Sequence, residues 1–126
     1  MNLNSNAIGK KVWIFPDLEM PPAGTSELKA HESIIILNTG DKDANIKMTL
    51  YFDDKAPIAD IPVKVDAQRV RCLRTNNPAD FGGLDIEQEK QYAIMLESDI
   101  PVVAQYGRLE TRQANAAFYT VMGYAE

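Results

Sequence analysis

One stretch, residues 31–54, constrains the fold of this chain more than any other. Its second half, Asn45–Phe52, alternates strictly between apolar and polar residues, and this period of two indicates a half-buried β-strand. Its first half, Ser33–Asn38, contains four consecutive large apolar residues, which indicate a strand buried on both faces. The intervening residues 39–43, TGDKD, supply a glycine and aspartates suited to a tight turn. We therefore predict a β-hairpin whose first arm is covered on its outer face by a loop or by another subunit.

Further β-type runs recur along the chain, separated by turn signals at intervals of roughly 8–12 residues. Pro16 is expected to end the first run, Ser98-Asp99 to turn the chain, and Pro62 to place its strand at a sheet edge because proline has no N–H to donate. The pattern predicts an all-β fold, a single-domain antiparallel β-sandwich of about seven to eight short strands over residues 1–126, with 1–9 as a loose N-terminal arm. Besides the two arms of the hairpin, the predicted strands are Lys10–Phe15, Ile58–Asp66, Gln68–Arg74, Gln91–Leu96, Ile100–Arg108 and Phe118–Tyr124.

Composition narrows the functional classes. The chain has 126 residues, 45% hydrophobic and 25% charged, which suits one globular domain with its own core. A net charge of −5 does not favour binding to phosphate backbones. The single cysteine, Cys72, excludes an internal disulfide. The sequence shows neither a secretory leader nor an apolar run near the roughly 18 residues of a membrane span, so we expect a cytoplasmic protein without membrane insertion.

No catalytic signature is present in the sequence. The one histidine, His31, precedes Ser33 by two residues, but no GxSxG motif accompanies them, and a hydrogen-bonding role at the sheet edge is the simpler explanation for the histidine. One histidine and one cysteine cannot build a zinc cage without several carboxylates. The acidic turn at 41–43 lacks the ligand spacing of a calcium loop. We predict no enzymatic activity, no metal and no cofactor.

One cluster of arginines is a candidate site for nucleic acid. Arg69, Arg71 and Arg74 lie within one predicted strand. Three arginines are a weak footprint on an acidic chain, and pairing with the plentiful carboxylates is the simpler alternative.

A second group of arginines lies where the chain leaves a predicted buried strand. The planar guanidinium groups of Arg108 and Arg112 suit bidentate contacts with carboxylates or sugar hydroxyls. The competing explanation is a structural ion pair, for instance with Glu32 or Glu110, that holds the strand end. Aromatic residues such as Trp13 could offer stacking surfaces to a sugar-like ligand, although core packing is their commoner role.

Three segments of the chain, taken together, resemble the sensory rhodopsin transducer family, a group of small bacterial all-β proteins. They are the Trp13 strand followed by Pro-Pro-Ala-Gly at 21–24, the run from His31-Glu32-Ser33 to Ala44, and Val102–Gln105 continuing into Arg108–Gln113. The resemblance implies a β-sandwich subunit that assembles as a homotetramer and acts in the cytoplasm. The rhodopsin-linked member passes a light signal from a membrane photoreceptor to downstream partners, and DNA binding has been proposed for it.

The wider family resembles small-molecule-binding domains, including sugar-binding ones. By position, the resemblance places the family's polar, ligand-contacting set on Trp13, His31, Glu32, Arg108 and Arg112. We therefore expect a non-enzymatic, signal-transducer-like protein that binds a small polar ligand, such as a sugar, or a signalling partner. The alternatives are a rhodopsin-coupled transducer that works purely by protein–protein contact, and a DNA-binding transcriptional regulator.

Overall fold

The computed structural model describes residues 7–24, 27–112 and 115–126, and within these ranges it is almost entirely β-structure. A single 3-10 turn, Pro78–Phe81, interrupts the strands, and no helix in the described ranges is long and apolar enough to cross a membrane. Most of the loose arm expected at residues 1–9 lies outside the described residues, but the Ile8 amide donates to Thr39 Oγ1 at 2.8 Å. The strands are β1 (Lys10–Glu19), β2 (His31–Asn38), β3 (Ala44–Phe52), β4 (Ile58–Val65), β5 (Arg69–Arg74), β6 (Gln91–Glu110), β7 (Ala117–Val121) and β8 (Tyr124–Ala125).

Two antiparallel sheets share strand β6, which confirms the predicted all-β sandwich class. The first half of β6, up to Ser98, pairs with β3 on one side and β1 on the other. Its second half, from Val103, pairs with β2 on one side and, from Tyr106, with β7 on the other. The first sheet therefore has the order β4-β3-β6-β1-β8, and the second has the order β5-β2-β6-β7. The predicted turn at Ser98-Asp99 is wrong, because the strand bends there from one sheet into the other and continues.

The predicted hairpin between β2 and β3 is also wrong. Strand β2 pairs with β5 and β6, whereas β3 pairs with β4 and β6 in the other sheet. The turn at 39–43 is thus an arch that joins facing sheets. Asn38, which is fully buried, organises this arch: its Nδ2 donates to the carbonyls of Lys42 and Val65 at 2.8 and 3.1 Å, and its Oδ1 accepts from the Gly40 amide at 2.9 Å.

The two prolines expected to limit strands behave differently. Pro62 lies in β4 at the end of its sheet, as predicted for a residue without an N–H to donate. Pro16 does not end β1, which continues to Glu19. The strand accommodates it where the register with β6 shifts, between Phe15 and Leu18, because an irregularity leaves room for a residue that cannot join the ladder.

The core lies between the two sheets, on the inward faces of alternating strand residues. Ile34 and Ile36 of β2 are fully buried, but Ile35 is only partly buried and Leu37 is 41% exposed. The prediction that this strand is buried on both faces is therefore wrong for the single chain. Its outward side forms an apolar surface, the outer patch, that consists of Ile35, Leu37, Val70, Cys72 and Val103.

The C-terminal segment crosses from one sheet to the other. The single final strand predicted at Phe118–Tyr124 is divided into β7, at the edge of the second sheet, and β8, at the edge of the first. Gly123 lies between them and rests directly on β1, since a Cβ at this position would come within 2.2 Å of the Ile14 carbonyl oxygen. Two backbone hydrogen bonds between Val12 and Glu126, of 2.8 and 3.0 Å, hold the end of the segment against β1.

Candidate functional site

A carboxylate lies inside the sandwich near the start of β2. The Glu32 side chain is fully buried, and donors from separate parts of the chain satisfy its oxygens. The Tyr92 hydroxyl donates to Oε1 at 2.8 Å, and the Tyr106 hydroxyl donates to Oε2. The backbone amide of Glu19, at the end of β1, also donates to Oε2 at 3.0 Å. Since an unpaired buried charge is strongly destabilising, these bonds are a condition for placing a carboxylate here.

The two tyrosines come from opposite halves of β6. They are fourteen positions apart in sequence, a separation that spans about 45 Å in a straight strand. Both hydroxyls reach one carboxylate because the strand bends as it passes between the sheets. Glu32 therefore connects the two sheets through the strand that they share.

A series of charged side chains leads from this carboxylate to the surface. Arg108 Nη1 lies 3.9 Å from Glu32 Oε2 and donates to the Glu19 carbonyl at 2.6 Å. Arg108 Nη2 donates to Glu110 Oε2 at 3.2 Å. The other partner of Glu110 is Arg112, whose Nε and Nη2 donate to its two oxygens at 2.9 and 3.0 Å. Side-chain exposure rises along the series from 13% for Arg108 to 55% for Arg112.

Burial and neighbouring groups shift the pKa values of the titratable side chains in this series. Burial raises the pKa of the Glu32 carboxyl, while hydrogen bonds from Tyr106, the Glu19 amide and Tyr92, together with the Arg108 charge, oppose that rise. Burial also raises the pKa of both tyrosines, so they remain protonated donors at physiological pH. Hydrogen bonds from Arg112 lower the pKa of Glu110. The pKa shifts thus favour the charged forms of Glu110 and Arg112 at the surface and the protonated form of Glu32 in the interior.

The structure brings together three of the five predicted ligand-contacting residues, Glu32, Arg108 and Arg112. Glu32 pairs directly with Arg108, and Glu110 joins Arg108 to Arg112. The ion pairs with Glu32 and Glu110, which the sequence left open as the competing explanation, are present. Tyr92 and Tyr106 were not predicted as partners of Glu32, and their hydroxyls are the main part of the site that sequence reasoning missed. The available signal was a tyrosine at an inward position among aliphatic residues, because a buried hydroxyl needs a partner.

The other two predicted residues lie elsewhere. Trp13 is 5% exposed, and its indole N–H donates to the carbonyls of Lys10 and Val102 at 3.1 and 3.0 Å, so its ring has no open face. His31 is adjacent to Glu32 in β2 and therefore points to the opposite side of the sheet. Its Nδ1 lies 2.8 Å from the Lys29 carbonyl oxygen.

The candidate nucleic-acid cluster is divided between the two faces of β5. Arg69 and Arg71 share one face and line an open surface groove together with Lys64, whereas Arg74 belongs to the alternate face. Arg71 Nη2 lies 3.7 Å from a carboxylate oxygen of Asp80, so one of the three arginines has the ion pair that the simpler alternative proposed.

Comparison with known proteins identifies the family. A family model described as Anabaena sensory rhodopsin transducer matches residues 8–125. The chain belongs to this transducer family. The resemblance found in the three sequence segments is thereby confirmed.

Two solved structures are similar to this member of the transducer family. The crystal structure of Thermotoga maritima 1070 is 36% identical, with a TM-score of 0.83, and the match covers 94% of this chain and 96% of that chain. The Anabaena sensory rhodopsin transducer is 30% identical, with a TM-score of 0.68, and the match covers 79% and 97% of the two chains. A search of curated proteins finds no match.

The hydroxyl of Tyr92 should contribute measurably to stability. Tyr92→Phe removes one donor from the buried carboxylate, and we expect the free energy of unfolding to fall by about 1.5–3 kcal/mol, the usual range for a hydrogen bond to a charged group. Tyr51→Phe is the matched control, because its hydroxyl faces solvent near Met95 Sδ at 3.9 Å, and its effect should stay within about 0.5 kcal/mol. Urea unfolding of both variants measures the difference, and equal effects would contradict the role assigned to Tyr92.

The raised pKa of Glu32 predicts a pH dependence of stability. Because the folded state holds this proton more tightly than the unfolded chain, the stabilising contribution is complete below the unfolded pKa near 4.5 and is lost as pH rises through the folded-state pKa. Glu32→Gln has no such proton. We therefore expect the free energy of unfolding of the wild type, relative to the variant, to decrease as pH rises from 4.5 towards neutrality and above. Denaturant unfolding across this range is the measurement, and a relative increase would mean that the hydrogen bonds outweigh burial.

Proposed function

We propose that this protein is a signal transducer that works by contact with a partner protein at the charged rim, the surface formed by Arg108, Glu110 and Arg112. The observation that supports the proposal is a series of ion pairs. It runs from the buried Glu32 carboxylate through Arg108 and Glu110 to Arg112, whose side chain is 55% exposed. A side chain held in place before binding loses less conformational entropy when it meets a partner. Opposite charges side by side also favour a partner surface with complementary charges.

The partner that we propose is a rhodopsin-type membrane photoreceptor, met at its cytoplasmic side. Family membership and the name of the Anabaena relative support this choice. The protein would then act in the cytoplasm, receive the state of the photoreceptor through the charged rim and pass it to a downstream component.

A small polar ligand, such as a sugar, at the same rim is the second candidate. It has less support, because the Glu32 oxygens are occupied inside the sandwich and the Trp13 ring is covered. Only Arg108 and Arg112 of the predicted set would then contact the ligand. A DNA-binding role has less support again, since Arg74 does not share a face with Arg69 and Arg71 and the chain carries a net charge of −5.

We also propose that the protein assembles as a homotetramer, with the outer patch as one of its interfaces. Leu37 is the centre of the patch, since it pairs with Val70 on one side and Val103 on the other. Val70 and Leu37 are both exposed, so an apolar surface of neighbouring strands faces outward. Burying such a surface against a second copy is favourable by about 25 cal/mol per Å² of apolar area.

Arg112→Ala should weaken photoreceptor binding. We expect a loss of about tenfold or more in affinity, as is typical when a central arginine of an interface is truncated. Arg69→Ala is the matched control, an exposed arginine on β5 outside the rim, and should bind as the wild type does. Detergent-solubilised Anabaena sensory rhodopsin, immobilised for biolayer interferometry, provides the measurement. Equal affinity of the two variants would contradict the charged rim, and absence of binding by all three proteins would contradict the choice of partner.

Light scattering tests the tetramer. The wild type should show four times the 14.0 kDa mass of one chain. Leu37→Lys places a charge in the outer patch and should yield smaller species, whereas Tyr51→Lys, a change at a similarly exposed residue of the first sheet, should remain tetrameric. A monomer mass for the wild type would contradict the proposal.

A further inference from the structure

A cavity of about 110 Å³ lies beside Tyr92, away from the charged rim. The end of β3 forms one wall, and the segment that leads into β6 forms the other. Its apolar lining consists of Phe52, Leu84 and Ile86, which also pack against the core. Tyr92 completes this lining, and its hydroxyl is the one bonded to Glu32. The other lining side chains are polar and include Asp85, Glu87 and Gln91.

The mouth of the cavity carries both signs of charge. Lys90 Nζ lies 3.7 Å from Asp54 Oδ2, and both side chains are about half exposed. Lys55 Nζ lies 4.4 Å from the centroid of the Phe52 ring, which places a second cation over the aromatic wall. An exposed ion pair of this kind contributes only about 0–1 kcal/mol, so a ligand that supplies both charges can replace it at small cost.

The dimensions restrict the occupant. An apolar cavity of roughly 150 Å³ holds one benzene molecule. A cavity of about 110 Å³ therefore admits a short side chain of a few non-hydrogen atoms, while the charged groups of the same ligand stay at its mouth. The cavity thus combines apolar side chains with charges of both signs, Lys55 and Lys90 against Asp54, Asp85 and Glu87. This combination is complementary to a small molecule that has an apolar side chain and both charges. These are the properties of a free α-amino acid with a short aliphatic side chain.

We propose that this cavity binds such an amino acid, with its ammonium group on Asp54, its carboxylate on Lys90 and its side chain against Leu84 and Ile86. The proposal is separate from partner binding at the charged rim. The two sites share no residue. They are linked indirectly, because the ring of Tyr92 lines the cavity and its hydroxyl donates to Glu32, which pairs with Arg108.

L-valine is the probe. Titration into the wild-type protein, followed by two-dimensional NMR and by thermal unfolding, should give a saturable response and a raised Tm, because a ligand that binds only the folded state stabilises it. Isovalerate lacks the ammonium group and isobutylamine lacks the carboxylate. Each should bind at least about tenfold more weakly, since isovalerate offers no partner to Asp54 and isobutylamine offers none to Lys90. Absence of saturable L-valine binding, or binding of either analogue as tight as that of L-valine, would overturn the proposal.

Two variants test whether the response to L-valine comes from this cavity. Leu84→Trp fills the cavity, and Lys90→Met removes the cation without disturbing the core; both should abolish or greatly weaken L-valine binding. Lys64→Met is the control, because Lys64 is a similarly exposed lysine that pairs with Asp43 and Asp66 elsewhere on the surface. Unchanged L-valine binding in Lys90→Met would overturn the site even if Leu84→Trp fails to fold. Arg112→Ala should leave the L-valine titration unaltered, so failure at the rim and failure at the cavity are distinguishable.

Discussion

A buried carboxylate must find donors wherever it lies, and in this fold that requirement connects the whole sandwich. Glu32 reaches the end of β1 and both halves of β6, and its charge is next to Arg108. Each donor is in place only if both sheets have formed and β6 has bent between them. The carboxylate is therefore satisfied in the complete fold alone, and it links the packing of the interior to the position of a surface arginine.

Much of the fold follows from local sequence patterns. Alternation located the strands and most of the core, and Pro62 marked an edge correctly. The pairing of the strands could not be predicted in the same way. A period of two shows which residues share a face of a strand, but it does not show which strand lies beside it. A glycine- and aspartate-rich turn serves a hairpin and an arch equally well, which is why β2 and β3 were wrongly paired. Ser98-Asp99 and Pro101 likewise give the same local signal in a corner as in a turn.

The candidate site could be predicted only in part, for a related reason. The ion pairs of Arg108 and Arg112 were foreseeable, since Glu110 is a near neighbour in sequence. The contacts of Glu32 with Tyr92 and Tyr106 span 60 and 74 residues and depend on the bend of β6, which no local pattern reveals. Trp13 shows a different limit of local patterns: an aromatic residue that could stack on a ligand lies in the core, with its indole N–H bonded to two backbone carbonyls.

The sharing of β6 between two sheets also bears on how chains of this kind can change length during evolution. Side chains alternate along a strand, so removing or adding one residue reverses every side chain beyond that point. In β6 a single insertion would misplace the inward residues of one sheet relative to the other, including Tyr92 or Tyr106. We therefore expect length changes to be tolerated in segments outside the ladders, such as residues 76–87, which lie between β5 and the bridge of Gln88 with Met20.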